Sequence, residues 1–446
     1  MTDLSRLTDA LISAARQAGA EQADALATAG TSLSIDIRAG KLEQAERSEG
    51  AEIGLRVLIG GRQACVSASD TSDATIRRLA ERAVAMATEA PSDPYAGLAD
   101  PGQIARAWNL AALELADPAA EPTAAALEHA AREVEAAAMQ TKGITQVEAS
   151  ASYSSRALHL AASNGFSGGY ARTSHSLSAV AFTGSGTGME RDWAAEGRIF
   201  AADMPGAQAI GTLASERALQ RAGAVKPKTG TYPVLFDERV ASSLIGHLLS
   251  AANGAAIARG ASWLRDALGQ QVLPAHLSVI EDPHRPRIPA SRPFDGEGLP
   301  TQRRVIVENG VLMGWTLDLA TGRKLGMPST ANAARGASSP PSPSTGNIDL
   351  TPGAHSRADL IAQMGTGLLV TSMIGSTINP TTGDYSRGAS GFWVENGAIQ
   401  YPVNECTIAG NLRDMLLRII PANDARVHLS TRVPSILIEG MTLAGA

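Results

Sequence analysis

GFWVENGAIQYPV, residues 391–403, decides how the second half of the chain folds. Apolar and polar residues alternate on both sides of Asn396-Gly397. Asn-Gly favours the turn in which both central residues take positive φ, so Phe392 to Val403 is predicted to be a β-hairpin. RRVIVENGVLMGWTLD (303–318) repeats the Glu-Asn-Gly signature and predicts a second hairpin, Val305 to Thr316. The segment upstream of the first, GDYSRGASGFWVENG (383–397), crowds four glycines, three aromatics and a charged cluster into fifteen residues. That is unusual for a core strand, and it raises the question of an active site, a substrate platform or a turn-rich scaffold.

Working backwards, residues 329–356 have no period and much Ser, Pro and Gly. A stretch of that length in a compact domain is either mobile or a functional loop. Arg239 to about Ile257 reads as an amphipathic helix, and Pro233 to Phe236 as an apolar strand. AGAVKPKTGTYPVLFDE (222–238) breaks the pattern and reads as a junction between domains. The first half mixes elements. Leu4, Leu7, Leu11 and Ile12 mark a helix ending near Gly19, and SLSIDIR (32–38) is a strand. EIGLRVLIGGRQACVSAS (52–69) is a hairpin turning at Gly60-Gly61, and further helices run through 72–91 and 123–140. From Gln146 to about Arg198 a strand meander with glycine-rich turns is expected, then a helix from Ala207 to Ala222. The expected class is α+β in two domains, 1–223 and 229–446. The first is an α/β domain and the second is β-rich.

The chain has 446 residues, 44% hydrophobic and 18% charged, with a formal charge of −6. Length alone favours more than one core. Without a basic run, no nucleic-acid partner is expected. No apolar stretch reaches the roughly 18 residues of a spanning helix, and the first twenty residues lack the apolar run of a signal peptide. Two widely separated cysteines, Cys65 and Cys406, fit a reducing, cytoplasmic setting.

Catalytic signatures are sparse. Gly165 to Gly169 matches G-x-S-x-G around Ser167, but strand-like sequence follows where a nucleophile elbow needs a helix, so a hairpin turn is expected. The glycines at 184, 186 and 188 lack a phosphate loop's Lys and Ser/Thr and read as turn residues. No two of the eight histidines are spaced i, i+4 on a helix. His247 stands alone on an apolar helix, where a hydrogen-bonded core role is the ordinary one. No histidine adjoins Ser167 or Ser390, though the fold can bring one close.

Several long stretches, in order along nearly the whole chain, resemble the PmbA (TldE) branch of the TldD/PmbA family. They are IRAGKLEQAERSEGAEIGLRVLIGGR (37–62), SLSAVAFTGSGTGMERDWAAEGR (176–198), TGTYPVLFDE (229–238), SRPFDGEGLPTQ (291–302), GRKLGMPSTANA (322–333) and 383–397 with AIQYPVNECTIAGNLRDML. The resemblance implies an α/β N-terminal domain and a C-terminal domain built on an antiparallel sheet or partial barrel. It implies one subunit of an intracellular metalloprotease that cleaves small or unfolded polypeptides, including the leader of a peptide-antibiotic precursor and an unfolded antitoxin. In such a pair the TldD-type subunit binds zinc through a His-Glu-x-x-x-His helix and a C-terminal cysteine. Matching RGAS (259–262) to that branch puts the metal-binding positions near Ile245, Gly246 and Ser250, where this chain has neither His nor Glu. His247 is then a vestige of the metal helix and Cys406 a buried strand residue. No catalytic residue, metal or cofactor is expected in this chain, and zinc belongs to a TldD-type partner. Asp384, Tyr385 and Arg387 become candidates for holding peptide or partner. Asp384 and Arg387 pairing to tie down the loop, or a dimer interface, are the other readings of that segment. The alternative function is a stand-alone homodimeric peptide-binding or regulatory protein without proteolysis.

Overall fold

The structure is a computed structural model describing residues 3–446. In chain order the first half comprises α1 (Leu4–Gln17), β1 (Gln22–Arg38), β2 (Lys41–Ile59), β3 (Arg62–Ala68), α2 (Asp73–Glu89), α3 (Leu110–Leu113), α4 (Ala124–Met139), β4 (Ile144–Ala162), β5 (Ser167–Thr183), β6 (Glu190–Arg198) and α5 (Ala207–Gln220). Its strands form one six-stranded sheet in the order β3-β2-β1-β4-β5-β6. The sequence-based strands at 32–38 and 52–59 are the ends of longer ones. β1 and β2 pair from Gln22↔Leu58 to Arg38↔Lys41, turning at Ala39-Gly40. Alternation explains the packing. Leu33, Ile35 and Ile37 point to the same face and bury against Leu127 and Ala131 of α4. Ile53, Leu55 and Val57 do the same against α1 and α2. Gly60 and Gly61 turn the β2–β3 hairpin at φ 56° and 73°, and Gly184 and Gly186 also have positive φ in the β5–β6 turn.

The second half comprises β7 (Gly230–Phe236), α6 (Glu238–Ala251), α7 (Gly254–Ala258), β8 (Val279–Glu281), β9 (Arg304–Glu308), β10 (Val311–Leu312), α8 (Leu319–Leu325), β11 (Ala333–Ala334), β12 (Ser342–Pro343), β13 (Ile348–Leu350), α9 (Arg357–Met364), β14 (Gly367–Ile378), β15 (Asp384–Glu395), β16 (Ala398–Asn411), α10 (Leu412–Leu416), β17 (Ile420–Pro421), β18 (Thr431–Arg432) and β19 (Ile436–Ala444). Strands β16-β15-β14-β7-β19 lie side by side, and a β16–β19 pairing closes them into a five-stranded barrel. The fold is thus mixed α and β, with the closed barrel in its C-terminal region. Both Asn-Gly hairpins form: Asn309 and Gly310 have φ 48° and 84°, and Asn396 and Gly397 have φ 53° and 72°. Helix α6 packs Leu244, Ile245 and Leu248 into the core that also holds Phe236, Tyr385, Trp393 and Ile408.

Two expectations are corrected. The helix expected to run to Ile257 stops at Ala251, because Asn253 caps a new helix. Its side chain accepts from Ala255 N at 2.9 Å and donates to Pro343 O at 2.8 Å. Residues 329–356, read as an irregular stretch, are partly regular. They contain β11–β13 and cross onto the N-terminal sheet, where the buried Arg335 guanidinium pairs with Asp24. Asp24 also accepts from Arg56 Nε at 2.7 Å. Beside this ion cluster, Leu26 and Leu160 of the sheet and Phe166 of the β4–β5 turn pack on Phe294, Leu299 and Leu319 of the second half. Phe294 is the hub, with ring centroids 5.0 Å from both Trp108 and Phe166 and 5.5 Å from Tyr170.

Candidate functional site

Helix α6 is the segment on which a metal centre is most readily tested. Asp237 caps it, accepting from Arg239 N and Nε at 3.2 and 2.9 Å. Its apolar stripe locks to the barrel, so its opposite face, Ser242, Ser243, Gly246 and Ser250, lines a cavity of about 390 Å³ together with Asn253, the cap of α7. Pro343, Ser344, Thr345 and Thr431 form the other wall. Ile245 is wholly buried, and the lining offers hydroxyls and amides but no carboxylate, imidazole or thiol. His247 points elsewhere, edge-on to Tyr385 with centroids 5.9 Å apart. Its Nε2 is buried and has no hydrogen-bond partner. Burial, reinforced by the Arg387 cation, pushes its pKa below the usual imidazole value. The core reading of His247 holds for its packing but not for its hydrogen bonding. Cys406 Sγ lies 3.1 Å from Ala389 O, and burial raises its thiol to about 11, so it is no ready thiolate. Among the described residues no three His, Cys, Asp or Glu side chains converge on a point that could hold a metal ion. A catalytic zinc needs about three protein ligands, and the donor set around α6 does not fit one.

The glycine-rich stretch from Gly383 is split by its strand position. Asp384 is exposed. It accepts from Thr382 Oγ1 at 2.6 Å and Asn411 Nδ2 at 3.0 Å, and these bonds hold its carboxyl below the ordinary range. Arg387 donates from Nε to Gly375 O at 2.8 Å. Asp384 therefore ties the turn before β15, and Arg387 the irregular part of β14, rather than each other. Tyr385 is only 2% exposed, and its hydroxyl lies 3.4 Å from Met373 Sδ. Its role is to pack the barrel and His247, so of the three candidates only Asp384 and Arg387 reach the surface.

The next residues, Gly388 to Ser390, line a cleft of about 790 Å³ between the barrel and β6, the last strand of the N-terminal sheet. Met189, Trp193 and Ile374 stand exposed around it, Ile374 at 77%. Arg221 bridges the walls, donating to Ser390 Oγ at 2.9 Å with Glu190 3.5 Å away. Asn404 donates to Glu190 at 2.9 Å. The sequence reading missed this cleft, because its walls lie some two hundred residues apart and no local pattern joins them. The cleft combines apolar side chains, paired charges and a terminal sheet strand. Chemically that suits holding an extended chain.

A six-stranded sheet flanked by helices and joined to a closed five-stranded barrel defines the class. Family models described as PmbA/TldA metallopeptidase domain 1, central domain and C-terminal domain match residues 23–87, 114–222 and 229–445. The chain is 36% identical to "Metalloprotease PmbA" of Escherichia coli O157:H7, over 93% of this chain and 90% of that one. It is 35% identical to a PmbA homologue of Haemophilus influenzae, over 97% and 94%. The chain belongs to the PmbA/TldD metallopeptidase family, on its PmbA side. Among solved structures, a protein of Bacteroides thetaiotaomicron described as a candidate modulator of DNA gyrase superposes with a TM-score of 0.92, at 26% identity and full coverage of both chains. TldE of Thermococcus kodakarensis superposes with a TM-score of 0.85, over 98% of this chain and all of that one. At 19% identity it shows the fold alone. Among the described residues no helix is long and apolar enough to cross a membrane.

Proposed function

We propose that this chain is the non-metal subunit of a two-subunit TldD/TldE-type metalloprotease that processes small unfolded polypeptides. In that assembly it completes the chamber, positions the metal-bearing partner and helps to hold peptide. One observation carries the reading: where a metal-binding helix would present imidazole and carboxylate, α6 turns Gly246 and Ser250 into a serine-lined cavity. A zinc ion and its activated water would have to come from the partner. The cleft beside β6 is the place where an extended peptide could lie, since main-chain pairing at a sheet edge gives affinity with little sequence preference. The two cysteines are unpaired, which supports a cytoplasmic setting.

The deciding experiment is metal analysis and peptidase assay of the purified chain, alone and mixed with a TldD-type relative. The expected result is less than about one-tenth equivalent of zinc and no cleavage alone, with zinc and cleavage appearing in a co-eluting complex. Stoichiometric zinc together with peptidase activity in the isolated chain would sink the proposal. A homodimer that retains no metal-bearing relative would favour a non-proteolytic peptide binder instead.

A further inference from the structure

Ser167 opens β5, immediately after the Asn164-Gly165 turn, and its side chain is exposed. The β4–β5 register pairs Ala161 with Ser167 and His159 with Gly169. His159 and Ser167 are therefore diagonal neighbours on one face of the sheet. Ser167 Oγ lies 3.4 Å from His159 Nε2. On the other side of the ring, His159 Nδ1 lies 2.8 Å from Thr8 Oγ1, a fully buried hydroxyl on α1.

The hydrogen bonds fix the tautomer. A threonine hydroxyl has one proton, and Thr8 Oγ1 has Ser5 O at 2.9 Å to receive it. Thr8 must then accept from His159 Nδ1–H. That leaves the lone pair of Nε2 directed at the Ser167 hydroxyl. Gly169 provides the room: a Cβ there would stand 3.0 Å from His159 Cδ2. Burial holds the imidazole pKa below its ordinary value despite Asp9 and Asp3 on and beside α1, so the ring is neutral near pH 7. Beside Ser167, a cavity of about 420 Å³ opens between α1 and the hairpin turn, with Ile12, Arg16 and Phe166 among its walls. That volume suits a small organic acyl group.

We propose that Ser167, His159 and Thr8 form an acyl-transfer site separate from the barrel, with Ser167 as nucleophile, His159 as general base and Thr8 as the positioning residue. The substrate class is a small carboxylic ester. As Ser167 Oγ bonds to the ester carbonyl carbon, its proton passes to His159 Nε2. The C–O bond to the alcohol then breaks and Nε2 returns the proton to the leaving oxygen. Water, deprotonated by the same nitrogen, then bonds to the acyl carbon, the Oγ–C bond breaks, Nε2 returns the proton to Ser167 Oγ, and the carboxylic acid leaves. The arrangement has the nucleophile–base–orienter order of covalent hydrolases on a scaffold without a nucleophile elbow.

The test is labelling of the full-length chain with an alkyl fluorophosphonate, in which an Oγ–P bond forms and fluoride leaves. Intact and peptide mass spectrometry read the site and the rate. A single adduct on Ser167 is expected, at least about tenfold faster than any other serine is modified. Labelling should vanish in Ser167→Ala and slow at least about tenfold in His159→Gln. Thr8→Val should slow it, and Thr8→Ser should restore it. Ser167→Ala alters an exposed hydroxyl and keeps the test valid should His159→Gln unfold, which melting curves check. Equal labelling of wild type and Ser167→Ala, or modification of Ser167 at an unchanged rate in a folded His159→Gln, overturns the proposal.

Discussion

At the scale of single residues, Glu297 is the most informative group outside the candidate sites. It is buried beside the joint between the two halves, and Oε2 accepts from Leu319 N at 2.9 Å. Burial, then the neighbouring Asp295 carboxylate, pushes its pKa up to about 8. Below the ordinary glutamate value, folded and unfolded chains both carry the proton. Above it the unfolded chain releases the proton while the folded chain keeps it, so stability falls as pH rises toward about 8 and levels off beyond. Glu297→Gln keeps an acceptor for Leu319 N and cannot ionise. Between about pH 5 and about pH 8 the melting temperature of the wild type should drop by at least ~2 °C more than that of Glu297→Gln. Parallel curves in calorimetry would show that Glu297 is not the titrating group.

At the scale of elements, β2 and the segment after β11 meet backbone to backbone. A Cβ on Gly54 would overlap the carbonyl oxygen and Cα of Ala337. Gly54→Val should therefore push residues 333–337 off the sheet and weaken the Arg335–Asp24 pair, at a cost of about 1–3 kcal/mol. Hydrogen exchange reads this directly: amides around Ala337 should exchange faster, while those of α9 and β14 stay unchanged. This contact explains what the sequence could reveal. The hairpins at Asn309-Gly310 and Asn396-Gly397 were legible because two adjacent residues dictate the turn. The order of 329–356 was not, because it rests on Asp24 and Gly54 some three hundred residues away. That α6 carries a single imidazole, His247, was readable from the helix itself. The approach of His159 to Ser167 lay within reach of counting back from the Asn164-Gly165 turn, whereas Thr8 on α1 and the cleft at β6 had no local signal.

At the scale of the whole molecule, the two halves are joined by an aromatic knot and an ion cluster rather than by a single linker. Asp24 sits between Arg56 and Arg335, both guanidiniums nearly excluded from solvent. Removing one partner of such a group leaves charge buried without compensation. The apolar part is simpler to test. Phe294→Ala empties the space between Trp108, Phe166 and Tyr170 and should cost about 3–5 kcal/mol. Because the loss falls on the joint, calorimetry should show the wild type's unfolding separate into two transitions, the barrel half retaining its own. A single transition shifted downward would mean that the halves depend on each other through other contacts.

The barrel seam carries a consequence for how the protein is made. β7 pairs with β14 on one side and β19 on the other, and β19 also closes the ring against β16. The first stave laid down during synthesis must therefore wait for the last one. Until residues 436–444 leave the ribosome, Val234, Leu235 and Phe236, all fully buried in the finished ring, have an unsealed flank. Vectorial translation thus leaves a sticky, half-built sheet for the whole interval, open to nascent-chain binding factors.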